Sequence, residues 1–128
     1  MAITTFSGPV RSLAGFITGT DVNSTVTAAT GSKAVYTFIV ATAVTSNSNV
    51  IQVANSTDTM NGLASVGGAT AAIFGTLPAS DTITMNGGTT GGLVGSYVQI
   101  TDLAAGEYLV SAALVGSGTP ATPFSAAV

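Results

Sequence analysis

Ser32-Lys33-Ala34-Val35-Tyr36-Thr37-Phe38-Ile39-Val40-Ala41-Thr42-Ala43-Val44-Thr45 is the stretch on which the fold turns. Successive side chains of a strand point to opposite faces. Tyr36, Phe38, Val40 and Val44 therefore share one face, and Val35, Ile39, Ala41 and Ala43 share the other. β-branched and aromatic residues dominate the run, and these fit a pleated surface. Both faces are apolar, which predicts a central strand covered on both sides.

Working outward, the same period recurs. Glu107 to Val115 sets Tyr108, Val110, Ala112 and Leu114 on one face. Tyr97 to Thr101 turns Val98 and Ile100 inward, and Asp81 to Met85 sets Ile83 and Met85 against Thr82 and Thr84. Val50 to Ala54 reads as a further strand, Ala69 to Leu77 as a strand in preference to one helical turn, and Phe124 to Val128 as a last edge strand. Asn55 to Gly62 reads as a polar loop, and the glycine-rich stretch ending at Gly95 as another. Asn86-Gly87 predicts a tight turn, because both residues accept positive φ. No run has a convincing helical period. Short strands punctuated by Gly, Asn, Asp and Ser predict an all-β, immunoglobulin-like or related β-sandwich.

Residues 1–30 read as an N-terminal arm with short strands, and residues 31–128 as the sandwich domain. Ile3 to Phe6 is β-prone, Ser7-Gly8-Pro9 turns it, and Leu13 to Thr18 is a second short strand. Val22 to Thr27 alternates weakly. The broken pattern predicts that residues 1–20 extend from the sandwich and pack on a neighbour. A Leu, a Gly turn and a Tyr opening a strand run from Leu103 to Tyr108. This fits either a tyrosine corner, whose hydroxyl caps nearby backbone, or an ordinary hairpin with a core Tyr.

Composition restricts the function. The chain has 128 residues, a net charge of −3, no Cys and no His, and only 5% of its residues are charged against 46% hydrophobic. Soluble proteins average about 25% charged, and surface charge is what keeps a free monomer soluble. So little charge predicts a chain that lives against other protein. Without Cys or His the usual zinc ligand sets are missing, and no metal or cofactor is expected. Arg11 and Lys33 are the only basic residues, too few for a nucleic-acid footprint. The most apolar run, Val35 to Val44, holds Thr37 and Thr42 and falls short of the ~20 residues of a membrane helix. Residues 1–20 carry no basic region followed by a long apolar stretch, so no secretory signal is expected.

Candidate catalytic groups each have a plainer reading. Serines are many, but no His can act as base, and Lys33 lacks Ser-x-x-Lys spacing because position 30 is Thr. Asp21, Asp58, Asp81, Asp102 and Glu107 could pair for glycoside hydrolysis. Asp21, Asp58 and Asp102 lie in turn-like contexts, where Asp is favoured for its local hydrogen bonds. Asp81 opens a strand, and Glu107 sits beside a Gly turn. Gly87, Gly88, Gly91, Gly92 and Gly95 are followed by no Lys-Ser/Thr pair, as a phosphate-binding loop requires. Asn23-Ser24-Thr25 and Asn55-Ser56-Thr57 match the glycosylation pattern, as chance allows in such a composition. Thr25/Thr27, Thr57/Thr59 and Thr82/Thr84 lack the regular spacing of an ice-binding coil.

Two regions resemble a known group. The opening, Met1-Ala2-Ile3-Thr4-Thr5-Phe6-Ser7-Gly8-Pro9-Val10-Arg11-Ser12-Leu13-Ala14-Gly15-Phe16, resembles the start of small virion structural proteins of tailed bacteriophages, including marine and cyanobacterial phages. Asp81-Thr82-Ile83-Thr84-Met85-Asn86-Gly87, Tyr97-Val98-Gln99-Ile100-Thr101-Asp102-Leu103 and Gly116-Ser117-Gly118-Thr119-Pro120-Ala121-Thr122-Pro123-Phe124-Ser125 are similar to the same group. The resemblance implies a non-enzymatic capsid decoration, or cement, protein on the virion surface, made in the host cytoplasm. Its partners would be the major capsid protein and further copies of itself, as a trimer or dimer, with neither nucleic acid nor membrane. Phe6, Arg11, Phe16 and Phe124 are the expected interface residues. A tail or fibre component and a carbohydrate-binding adhesion module are the alternatives, and a small hydrolase is a third.

Overall fold

The computed structural model describes the backbone of residues 13–17 and the whole of residues 23–128. All regular structure among these residues is strand: β1 (Leu13–Ile17), β2 (Asn23–Thr25), β3 (Val35–Val40), β4 (Asn49–Gln52), β5 (Thr59–Gly67), β6 (Ala71–Gly75), β7 (Thr82–Met85), β8 (Tyr97–Ala104), β9 (Glu107–Val115) and β10 (Phe124–Ser125). They form a six-stranded sheet in the order β1-β3-β8-β9-β5-β6 and a four-stranded sheet in the order β10-β7-β4-β2. The inner faces share one core, so the molecule is a β-sandwich.

The alternating runs explain that core. Val98 and Ile100 of β8 and Tyr108, Val110 and Leu114 of β9 are buried from one side, Ile51, Ile83 and Met85 from the other. Each such side chain contributes roughly 1.5–3 kcal/mol by leaving water. Antiparallel pairs set Ile100 against Val110 and Val98 against Ala112, which puts apolar residues in common rows. The pairs β1/β3, β2/β4 and β5/β9 are parallel. Immunoglobulin sheets are antiparallel, so this is a related sandwich rather than that arrangement.

Several expectations need correction. The longest unforeseen strand is β5, which begins inside the expected polar loop. Its Met60, Ala64 and Val66 are buried, while Gly62 and Ser65 interrupt the apolar signal. The strand β3 stops at Val40 and is covered on one side only: Val35 and Ile39 stay partly exposed, because among the described residues no layer lies over the outer face of the large sheet. Tyr36 and Phe38 pack against the core but are partly buried, as is Phe74 of β6. Four strands do not fully cover six. Asn86-Gly87 does not close a two-residue hairpin, since β7 and β8 belong to different sheets. Instead the Asn86 Oδ1 accepts from the Gly88 and Thr90 N–H groups, at 2.9 and 3.1 Å. Gly87 takes φ 79° where any Cβ would strike the Val44 carbonyl, so the loop is packed against the core.

Residue 30 marks no break in the core. Val26 and Ala29 lie within it. Leu13–Ile17 pairs with β3 and Asn23–Thr25 with β4, inside the chain's own sheets. The arm expected over residues 1–20 therefore includes a strand of the large sheet, and its remaining residues lie outside the described ones. Tyr108 opens β9 in a hairpin with β8 that carries a bulge between Asp102 and Ala104. Its hydroxyl is buried without a hydrogen-bond partner. The ordinary hairpin reading holds and the tyrosine corner does not.

Candidate functional site: an uncharged sheet face

With its inner face in the core, the six-stranded sheet presents its other face outward. Register sets Ile39, Tyr97, Ala113, Ser65 and Ile73 in one row across β3, β8, β9, β5 and β6. Thr37, Gln99, Ser111, Leu63 and Gly75 form the next row. Val35, Thr101, Leu109 and Asn61 form a third. Ile73 is 72% exposed, Leu63 59%, Leu109 46% and Tyr97 44%. These residues follow the period-2 pattern, but on the side that an isolated domain would make polar. Among the described residues the one charge on this face is Glu107, at the start of β9.

Single exposed apolar residues are ordinary. Several of them across adjoining rows of one sheet face, spaced by Ser, Thr, Gln and small residues, make a nearly uncharged surface of the kind that marks interaction sites. A shallow depression lined by Ser65, Gly67, Ala71 and Ile73 lies at the β5–β6 end. The surface offers apolar contact with a few hydroxyl and amide hydrogen-bonding groups.

The carboxylates serve the fold. Asp102 is 3% exposed at the end of β8, and the segment Thr30-Gly31-Ser32 wraps it. Its Oδ1 accepts from the N–H of Gly31 at 2.7 Å and of Thr30 at 3.0 Å. Its Oδ2 accepts from the Ser32 hydroxyl at 2.6 Å, the Thr30 hydroxyl at 3.0 Å and the Ser32 N–H at 3.1 Å. Burial works to raise its pKa, but the Ser32 hydroxyl and the Gly31, Ser32 and Thr30 N–H groups outweigh burial and hold the carboxyl well below the usual range. The Lys33 Nζ donates to the Leu103 carbonyl beside it. Asp58 accepts the Ala29 N–H at 2.8 Å. The Asp81 Oδ1 accepts the Thr82 hydroxyl at 2.7 Å and the Ala127 N–H at 2.8 Å, tying down the C-terminal segment. Three of the five acids considered for catalysis thus anchor backbone, Glu107 stands apart on the outer face, and Asp21 lies outside the described residues.

The expected interface residues separate. Phe124 is 8% exposed and belongs to the core. It pairs with Ile83, which turns it inward, so it is not a surface anchor. Phe16 lies on β1 in register with Ile39. Phe6 and Arg11 lie outside the described residues. Sequence reasoning missed Leu63, Ile73 and Leu109. The signal was present in β9, where Leu109 and Val115 occupy positions that alternate with the core set.

Comparison with protein-family models, with curated proteins and with solved structures found no match for this chain. The fold and the exposed face define it as a β-sandwich whose outer sheet surface carries, among the described residues, the single charge of Glu107.

Proposed function

We propose that this chain is a non-enzymatic structural protein of a tailed-phage virion that decorates and stabilises the head, binding the major capsid protein and other copies of itself. The observation that carries the reading is the outer face of the six-stranded sheet: exposed Leu63, Ile73, Leu109 and Tyr97, spread over three adjoining rows and, among the described residues, accompanied by the single charge of Glu107. A shell protein joined to many neighbours gains from many modest contacts at once, and a wide, nearly uncharged sheet face suits that role. The resemblance of the opening residues and of the second half to small virion proteins points the same way. The commitment of Asp58, Asp81 and Asp102 to backbone donors supports a non-catalytic role.

The test is co-sedimentation of the purified protein with heads of the source phage stripped of decoration, followed by a cryo-EM map. Saturable binding on the head lattice is expected, weakened at least tenfold by Leu109→Lys on the outer face. Density confined to the tail, or heads that bind none of the chain, overturns the reading.

A further inference from the structure

We propose that the free edge of β6 is a self-association site, at which two copies join their six-stranded sheets by antiparallel pairing about Ile73. Alternate backbone groups of β6 are already used by β5. Thr76 N–H donates to the Gly62 carbonyl at 3.1 Å. Antiparallel pairs alternate between hydrogen-bonded and non-hydrogen-bonded positions. The register Ala64↔Phe74 and Val66↔Ala72 continues the bonded set, while Ser65↔Ile73, Leu63↔Gly75 and Gly67↔Ala71 are the non-bonded positions. The N–H and C=O groups of Ala71, Ile73 and Gly75 therefore point away from β5. Among the described residues no strand lies beyond them.

The edge fits itself. Ile73 is the middle residue of the strand. A two-fold axis at Ile73 sets Ile73 against Ile73 of the second copy and Ala71 against Gly75 of the second copy. All three positions are of the bonded kind, giving about six new backbone hydrogen bonds. On the inner side Phe74 then lies opposite Ala72 of the second copy, a ring against a small residue, and both are now only half-buried. Nothing on the strand resists this. From Thr59 to Ser80 there is no charged residue, and no proline before Pro78. Natural edges are usually guarded by Lys, Pro, bulges or shortness. In the smaller sheet the edge strands β10 and β2 have two and three residues, so they are short. The five residues of β6 are unguarded. A second copy is favoured over a different partner because the register is its own two-fold complement and carries no charge to select another sequence.

The inference deepens the self-association part of the proposed function and is independent of what the outer face binds. The experiment is sedimentation velocity of the full chain from about 1 to 100 μM. Ala71→Pro removes an outward N–H and leaves the bonds to β5 and the apolar surface of Ile73 in place, since proline is tolerated on an edge facing solvent. Ile73→Lys sets two like charges across the axis and serves as the second variant should the first fail to fold. Circular dichroism checks folding of each. The expected result is a wild-type dimer, with either folded variant at least tenfold weaker in association. A wild-type monomer at 100 μM overturns both the edge site and the self-association reading. An oligomer unchanged by both variants overturns the edge site alone, and a wild-type trimer overturns the two-fold register.

Discussion

Replacing Asp102 tests whether its carboxylate holds the segment before β3 onto the sandwich. Five donors from Thr30, Gly31 and Ser32 converge on it. Hydrogen bonds to a charged group are worth about 1.5–3 kcal/mol each in net terms, but the contributions do not simply add. Thr30 and Ser32 are exposed, so their donors recover water once the carboxylate is gone. Asp102→Ala should then cost about 3–4 kcal/mol, near the value for breaking a buried charged pair. Asp102→Asn keeps one acceptor and turns an amide NH2 toward the donors, for a cost of about 2–3 kcal/mol. For a chain of this size that lowers Tm by roughly 10 °C. Urea unfolding followed by circular dichroism measures the cost, and hydrogen exchange at Gly31 and Ser32 should quicken in both variants. The pH dependence has a fixed sign. The carboxyl's folded pKa is depressed, so its contribution is complete above the ordinary Asp value of about 3.9 and is lost as the pH falls below it. The gap between wild type and Asp102→Asn should be full at pH 7 and narrow on acidification. A cost for Asp102→Asn under about 0.5 kcal/mol, the size of an ordinary surface change, refutes the reasoning.

Three further outcomes follow from the packing. The Tyr108 hydroxyl is buried without a partner, so Tyr108→Phe should leave stability unchanged or raise it by up to about 1 kcal/mol. Burial pushes that phenol up to about 12, against the opposing pull of the nearby Thr27 hydroxyl, which is itself bonded to Tyr36. Stability from this group is thus complete below about pH 10 and is lost as the pH rises toward 12; alkaline titration of unfolding should show the loss in wild type and not in Tyr108→Phe. Gly62 has φ 155°, and a Cβ there would strike the Val110 carbonyl, so Gly62→Ala should abolish the cooperative thermal transition or lower its midpoint by more than Asp102→Asn does. Val110→Ala should cost about 1–3 kcal/mol by lost burial and a small cavity, read as a fall in urea midpoint with an unchanged slope.

The strands legible in the sequence were those with one apolar face and a steady alternation. Val98 and Ile100 on β8 and Tyr108, Val110, Ala112 and Leu114 on β9 fall at every second position, and the structure buries that set. The strand β5 hid because Gly62 and Ser65 break its pattern. Gly62 is there because β9 runs close beside it, a tertiary demand that local propensity does not contain. The apolar character of β3 on both sides was read as burial on both sides. Alternation shows which residues share a face, but a sequence does not show whether a second layer covers that face. The same limit applies to Phe124, expected at an interface, because a two-residue strand carries no alternation to show which way its side chain faces, and only the pairing with Ile83 sets it in the core.

The charge economy of the chain has a structural counterpart in where its carboxylates go. Asp58 and Asp102 hold Ala29 to Ser32, and Asp81 holds Ala127 and Val128. Each draws a peripheral segment onto the sandwich with backbone donors that would otherwise need water. The local hydrogen bonding expected of Asp in turns was the right chemistry at a longer range: the donors to Asp102 lie some 70 residues away in sequence. Spent in this way, the few ions of the chain leave the wide sheet face almost neutral. A neutral face gains nothing from charge steering and loses little to salt, because screening acts on exposed ions. Contacts made through that face and through the β6 edge should therefore persist in about 1 M salt, where the Debye length is only about 3 Å. Sedimentation at low and high salt separates the possibilities, and an association that dissolves on adding salt would show that ions outside this face carry it.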